Sequence, residues 1–151
     1  MTEQKTIRWL SRAYWIGIRI AKMQEQRDVY ARMIEGARGI DYARDITHGG
    51  VPATLEDAVL RLVDLDAKLA GEIQRYTAAV DEITEAIRLV EDERLSTLLY
   101  LRYVKGERWE QIAVAINYAW AQVHRLHHRA LAAVREKMIH NDTVTHDNML
   151  S

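Results

Sequence analysis

The sequence has no cysteine and only one proline, Pro52, in 151 residues. The first absence excludes a disulfide framework and a thiolate zinc site, and it fits a reducing compartment. The second removes the strongest helix breaker from both sides of residue 52, so long helices can run through each half. No stretch approaches the roughly 18–20 apolar residues that a membrane-spanning helix needs. Arg8, Arg12 and Arg19 interrupt the N-terminal region where a secretory signal would carry its apolar core. The groups that make an enzyme are missing too. The carboxylate pairs Glu56-Asp57 and Asp81-Glu82 are merely sequence neighbours, and no nucleophile, glycine-rich phosphate loop or metal-ligand spacing accompanies them. These absences predict an all-α, cytoplasmic protein without catalytic activity, cofactor, metal, small-molecule substrate or membrane association.

What is present is a globular composition, 48% hydrophobic and 28% charged, which argues against general disorder. The net charge of −1 conceals a segregation. Residues 1–52 carry +3, residues 53–93 carry −7, residues 94–137 carry +5 and residues 138–151 carry −2. Locally clustered Lys and Arg are what phosphate neutralisation requires, whatever the total charge. The alternative is that the charges decorate solvated helices.

Trp9, Ala13, Ile16, Ile20, Met23, Arg27, Tyr30 and Ile34 alternate spacings of four and three, the seam of one long helix broken only by Arg27. Four glycines and Pro52 then crowd residues 36–53, which predicts a connecting loop. Thr54 reads as the N-cap of a second helix, with Glu56 and Asp57 in its first turn where the helix dipole favours acids. Its seam runs through Val59, Leu62, Leu69, Ile73, Tyr76, Val80, Ile83, Ile87 and Val90 to Glu93, spoiled once by Asp66. About forty helical residues make a rod of roughly 60 Å, too long for a small core, so another helix must cover it. Folded back antiparallel, the first helix brings Lys5, Arg8 and Arg12 towards Asp81, Glu82 and Glu85. A homodimer joined through this arm would use the same seams.

Beyond Glu93 the elements shorten. Leu95, Leu98, Leu99, Leu101, Tyr103 and Val104 predict one helix stopped by Lys105-Gly106. Trp109, Ile112, Ala113 and Ile116 predict a short second helix, Asn117-Tyr118 a turn with Asn117 as N-cap, and Val123, Leu126, Ala130, Leu131 and Val134 a longer third helix. The expected organisation is therefore a long two-helix antiparallel hairpin or coiled-coil arm over 1–93, a three-helix module over 94–137 and a disordered tail over 138–151. A short helix, a tight turn and a longer helix with a basic outer face make a helix-turn-helix, whose second helix enters the major groove.

The run R-Y-x-x-G-x-x-W-x-x-I-A at Arg102, Tyr103, Gly106, Trp109, Ile112 and Ala113, followed by V-x-x-x-x-x-R-A-L-x-x-V-R from Val123 to Arg135, resembles the fourth conserved region of bacterial sigma factors. With heptad helices and a glycine-rich loop ahead of it, the arrangement resembles phage and prophage late-gene transcriptional regulators of the RinA/ArpU kind. The resemblance implies a sequence-specific regulator that binds double-stranded DNA, activates late genes and contacts host RNA polymerase. It places base-reading positions on Trp120, Ala121, Gln122, His124 and Arg125. Gln122 would pair with adenine and Arg125 with guanine or a phosphate. Arg102, Lys105 and Arg108 around the preceding turn, together with His128 and Arg129, would clamp phosphates. Trp120, Ala121 and Gln122 stand where sigma-like modules carry Arg or Glu, and Trp120 has a second reading as a packing residue.

His124, His127 and His128 lack acidic or thiol company, so they read as surface residues rather than metal ligands. Half-protonated on a groove-facing helix, they would weaken binding as pH rises. Two rival functions share these features: a small terminase subunit that packages DNA as a ring, and an adaptor whose module docks on RNA polymerase without touching DNA.

Overall fold

The computed structural model describes the backbone of residues 1–37 and 54–148, and the side chains of all of these except 142–148. Six α-helices account for most of them: α1 (Glu3–Leu10), α2 (Arg12–Ala37), α3 (Leu55–Arg88), α4 (Glu93–Leu99), α5 (Trp109–Ile116) and α6 (Trp120–Asn148). A π-helical turn, Tyr100–Val104, links α4 to α5, and no strand occurs among the described residues. The fold is all-α, which the near absence of proline permits. The loop expected over 36–53 starts no earlier than residue 38, because Gly36 and Ala37 belong to α2, and residues 38–53 lie outside those described.

The chain forms two compact units, one of Met1–Trp15 with Thr77–Ser151 and one of Ile16–Tyr76. The first therefore takes in both ends of the arm expected over 1–93. Its hub is α6, which packs on α4, α5 and α1. Leu10, Ile83, Leu98, Leu99, Ile112, Val123, Leu131 and Val134 are all but inaccessible to solvent. Each such side chain is worth about 1.5–3 kcal/mol in removal from water. Thr6, also inaccessible, donates its hydroxyl to the Thr2 carbonyl at 2.9 Å, so its burial leaves no polar group unpaired. That α1 packs on α6 is the arrangement that helical periodicity alone did not indicate.

Three boundaries differ from the sequence reading, each for a local reason. The first helix is interrupted at Ser11, which sits at φ −83 and ψ −1. There the Arg12 Nε donates to the Trp9 carbonyl at 3.1 Å, occupying an acceptor that the helix ladder would otherwise use. The second long helix ends at Arg88 rather than near Glu93. Asp92 caps α4 instead, its carboxylate accepting the N–H groups of Arg94 at 3.0 Å and Leu95 at 3.5 Å. Finally, the segment expected to be a disordered tail from residue 138 is helical through Asn148. No glycine or proline follows Gly106, and extending an existing helix costs far less than nucleating one. Arg135, donating to the Met1 carbonyl at 3.3 Å, and Lys137, paired with Glu91 at 3.2 Å, hold α6 just ahead of that segment.

In the second unit, Arg19 pairs with Glu72 and Arg27 with Asp66, so rising numbers on α2 meet falling numbers on α3. The two helices are antiparallel, as expected. Arg27 and Asp66 are the two residues that break the apolar seams, and each answers the other. In the first unit one of the expected approaches of basic to acidic residues is found, Arg12 meeting Glu82 at 2.8 Å, while Glu85 pairs with Arg88 of its own helix. Among the described residues of the second unit Ala58 alone is buried, while Leu62, Leu65 and Leu69 are half-buried. Two helices can cover one stripe each and no more.

Candidate nucleic-acid interface

The geometry of α5, the turn and α6 follows from a few backbone choices. Arg108 precedes α5 in an extended conformation, and its N–H donates to Gln111 Oε1 at 3.0 Å. At the far end Asn117 takes the left-handed conformation, φ 58 and ψ 49. The Tyr118 N–H then reaches the Ala113 carbonyl at 3.0 Å and the Asn117 N–H the Val114 carbonyl at 3.2 Å, a Schellman closure. Asn117 thus terminates α5 and is not the N-cap of α6. That place falls to Ala119, whose N–H donates to Gln122 Oε1 at 3.2 Å. The Tyr118 hydroxyl accepts from Arg94 at 2.7 Å, tying the turn to α4. Ile112, Val123 and Leu126 are buried between the elements and fix the helices against each other.

The outer edge of α6 is cationic. Residues 111–135 contain no aspartate or glutamate, a signal legible in the sequence but overlooked there. Ala121, Arg125 and Arg129 are exposed, and neither arginine has a hydrogen bond or ion pair among the described residues. Trp120 is 56% exposed at the first turn. Arg108, just ahead of α5, is also exposed, and no carboxylate pairs with its guanidinium among the described residues. These groups remain available to a ligand.

The other expected contacts are engaged within the protein. Arg102 lies 4.5 Å over the Trp109 ring and donates to the Glu107 carbonyl at 3.1 Å, so it braces the turn rather than reaching outward. Lys105 pairs with Glu107 at 3.3 Å, and the His128 Nδ1 lies 2.9 Å from the Glu3 carboxylate on α1. Gln122 spends its carbonyl oxygen on the cap of α6. A bidentate contact with adenine needs both amide atoms, so it would require that cap to open.

His124 and His127 belong to an aromatic ladder that sequence reasoning missed. His127 lies 4.5 Å edge-on to Trp109, Trp109 lies 5.6 Å from His124, and His124 lies 4.2 Å edge-on to Trp120. The His127 Nε2 is 2.7 Å from the Tyr103 hydroxyl. Burial, helped by the neighbouring charges of His128 and Arg102 and opposed by Glu3, pushes His127 down to about 4. Burial likewise raises Tyr103 to about 12. At neutral pH the phenol is therefore the donor and the imidazole the acceptor. His124 Nε2 is buried without a hydrogen-bond partner. For His127 the expectation of a half-protonated side chain is thus corrected. His127 is neutral within the ladder, His124 is wedged between two indoles, and His128 faces α1. The signal lay in the spacing of Trp120, His124 and His127, which puts them on one side of α6.

Among the described residues no group of three His, Cys, Asp or Glu could hold a metal ion, and no helix is long and apolar enough to cross a membrane. No protein-family model, curated protein or solved structure matches the chain.

Proposed function

We propose that this protein binds double-stranded DNA with the outer edge of α6 and regulates transcription in the manner of the phage and prophage late-gene regulators that its sequence resembles, with host RNA polymerase as a second partner. One observation carries the reading. Arg125 and Arg129 stand exposed and unpaired on a helix that α5 braces through buried Ile112, Val123 and Leu126. A rigid helix with a cationic, acid-free edge suits the major groove, where base edges are read, and cations at its margin hold phosphates. Arg125 serves the base or phosphate nearest the α6 N-terminus, with Trp120 and Ala121 beside it. Arg129 and Arg108 serve the flanking backbone.

Binding of labelled random-sequence duplex, followed by anisotropy at several salt concentrations, tests this. Three phosphate-contacting cations give a slope of log K against log salt of about −3, and Arg129→Ala should flatten it by about 1. Selection of bound fragments would then recover a site. Affinity unchanged when Arg108, Arg125 and Arg129 are all replaced by alanine would overturn the proposal and leave the module as a protein-docking adaptor.

A further inference from the structure

Trp120 is exposed, yet its ring is held in place. It lies 4.2 Å edge-on to His124, four residues along the same side of α6. His124 in turn lies 5.6 Å from Trp109, and the Arg102 guanidinium covers the Trp109 ring at 4.5 Å. Behind them His127 lies 4.5 Å edge-on to Trp109, with its Nε2 2.7 Å from the hydroxyl of buried Tyr103, which carries the ladder into the core. A side chain already fixed by such contacts loses little further rotamer freedom when a ligand meets it. Trp120 therefore presents a pre-set apolar plate at the start of α6.

What that plate can accept follows from its surroundings. Ala121 and Arg125 are exposed in the first two turns of the same helix, and residues 111–135 contain no carboxylate to repel a phosphate. Base pairs present hydrogen-bond donors and acceptors in the major groove, with one apolar exception, the 5-methyl group of thymine. An indole face set against a donor or acceptor leaves that group dry and unpaired. Set against the methyl group, it removes apolar surface from water on both sides.

We propose that Trp120 is a specificity-determining residue that reads the 5-methyl group of thymine, and that His124 is the positioning residue that holds the indole for that contact. The inference rests on the reading of α6 as a DNA-binding helix and adds what its first turn recognises. The His124 Nε2 is buried without a hydrogen-bond partner, so the imidazole acts on Trp120 through its ring and not through a bond at that atom.

The experiment uses duplexes that the native chain enriches from a random-sequence pool, copied once with thymine and once with uracil, which lacks only the methyl group. The native protein should bind the thymine pool at least about fourfold more tightly, which is what one buried carbon of that size is worth. Trp120→Ala should bind both pools alike. Its slope of log affinity against log salt should not change, because no phosphate contact is lost, nor should its helical circular dichroism, because the indole is exposed. His124→Ala should also lose the thymine preference. His124→Phe should restore it, since phenylalanine keeps the edge-on ring and gives up no hydrogen bond at Nε2. Equal native affinity for the two pools, or a thymine preference that survives Trp120→Ala, would overturn the proposal while leaving DNA binding by α6 intact. A His124→Phe variant as indifferent to the methyl group as His124→Ala would overturn the positioning role. A native chain that binds no duplex would overturn both this inference and the reading beneath it.

Discussion

Replacing His127 by glutamine should remove most of the acid sensitivity of the first unit between pH 7 and pH 4.5. The imidazole is neutral in the folded protein because Tyr103 and Trp109 bury it, and His128 and Arg102 oppose a further positive charge. In the unfolded chain it takes up its proton near 6.5, whereas in the folded protein this waits until about 4. Below 6.5 the unfolded state therefore binds the extra proton, so stability falls with falling pH and levels off once the folded state is protonated too. At about 1.4 kcal/mol per pKa unit the loss could reach about 3 kcal/mol, and partial solvation of a half-buried ring reduces it to on the order of 2 kcal/mol. Glutamine keeps an acceptor for the Tyr103 hydroxyl but cannot titrate. Urea unfolding at pH 7, 6, 5 and 4.5 should show the native protein losing that amount while the variant loses far less. Glu85 and Asp92, whose carboxyls are held below their ordinary values by hydrogen bonds from Arg88 and Arg94, lose their contribution only as pH falls through the carboxylate range, and do so equally in both proteins. Parallel stability curves for the two proteins would refute the argument.

Two further substitutions probe how the local structure is set. Asp92→Ala removes the carboxylate that caps α4 and should cost about 0.5–2 kcal/mol in urea unfolding, with Asp92→Ser recovering most of it. Gly106→Ala forces a side chain onto a residue at φ +72 with nothing within 4 Å of the added carbon, so the cost of about 1 kcal/mol would be conformational and visible as a lower melting temperature.

Helix periodicity is a local property, and the elements it governs were legible. The start of α3 after Thr54 and the stop at Gly106 follow from spacing and capping, whereas the seams do so only in part, since the first helix breaks at Ser11 and Val59, Ile73 and Tyr76 are exposed; the antiparallel pairing of α2 with α3 was one of two arrangements the same seams allowed. Arg27 and Asp66 looked like flaws in two separate stripes, and one hydrogen-bonded ion pair accounts for both. Asp92 was legible as a cap but was hidden inside the acidic run Glu91-Asp92-Glu93, which read equally well as the end of the preceding helix. Of the cations expected to contact a ligand, Arg125, Arg129 and Arg108 are exposed without an ion pair among the described residues, whereas Arg102, Lys105 and His128 have partners within the protein. Their partners are a ring, a carbonyl and two carboxylates brought close by the turn and by α1, and no spacing rule lists such neighbours.

By itself the sequence determined that the chain would be helical, where its apolar stripes would run, and which segment would be cationic, because propensity, periodicity and charge reside in the residues. Only the tertiary structure decided that α1 closes the core around α6 and that two histidines lie in an aromatic ladder. It also decided which cations were left without a partner. Burial and pairing depend on which surfaces meet, and contacts between residues as distant as Glu3 and His128 carry no local trace.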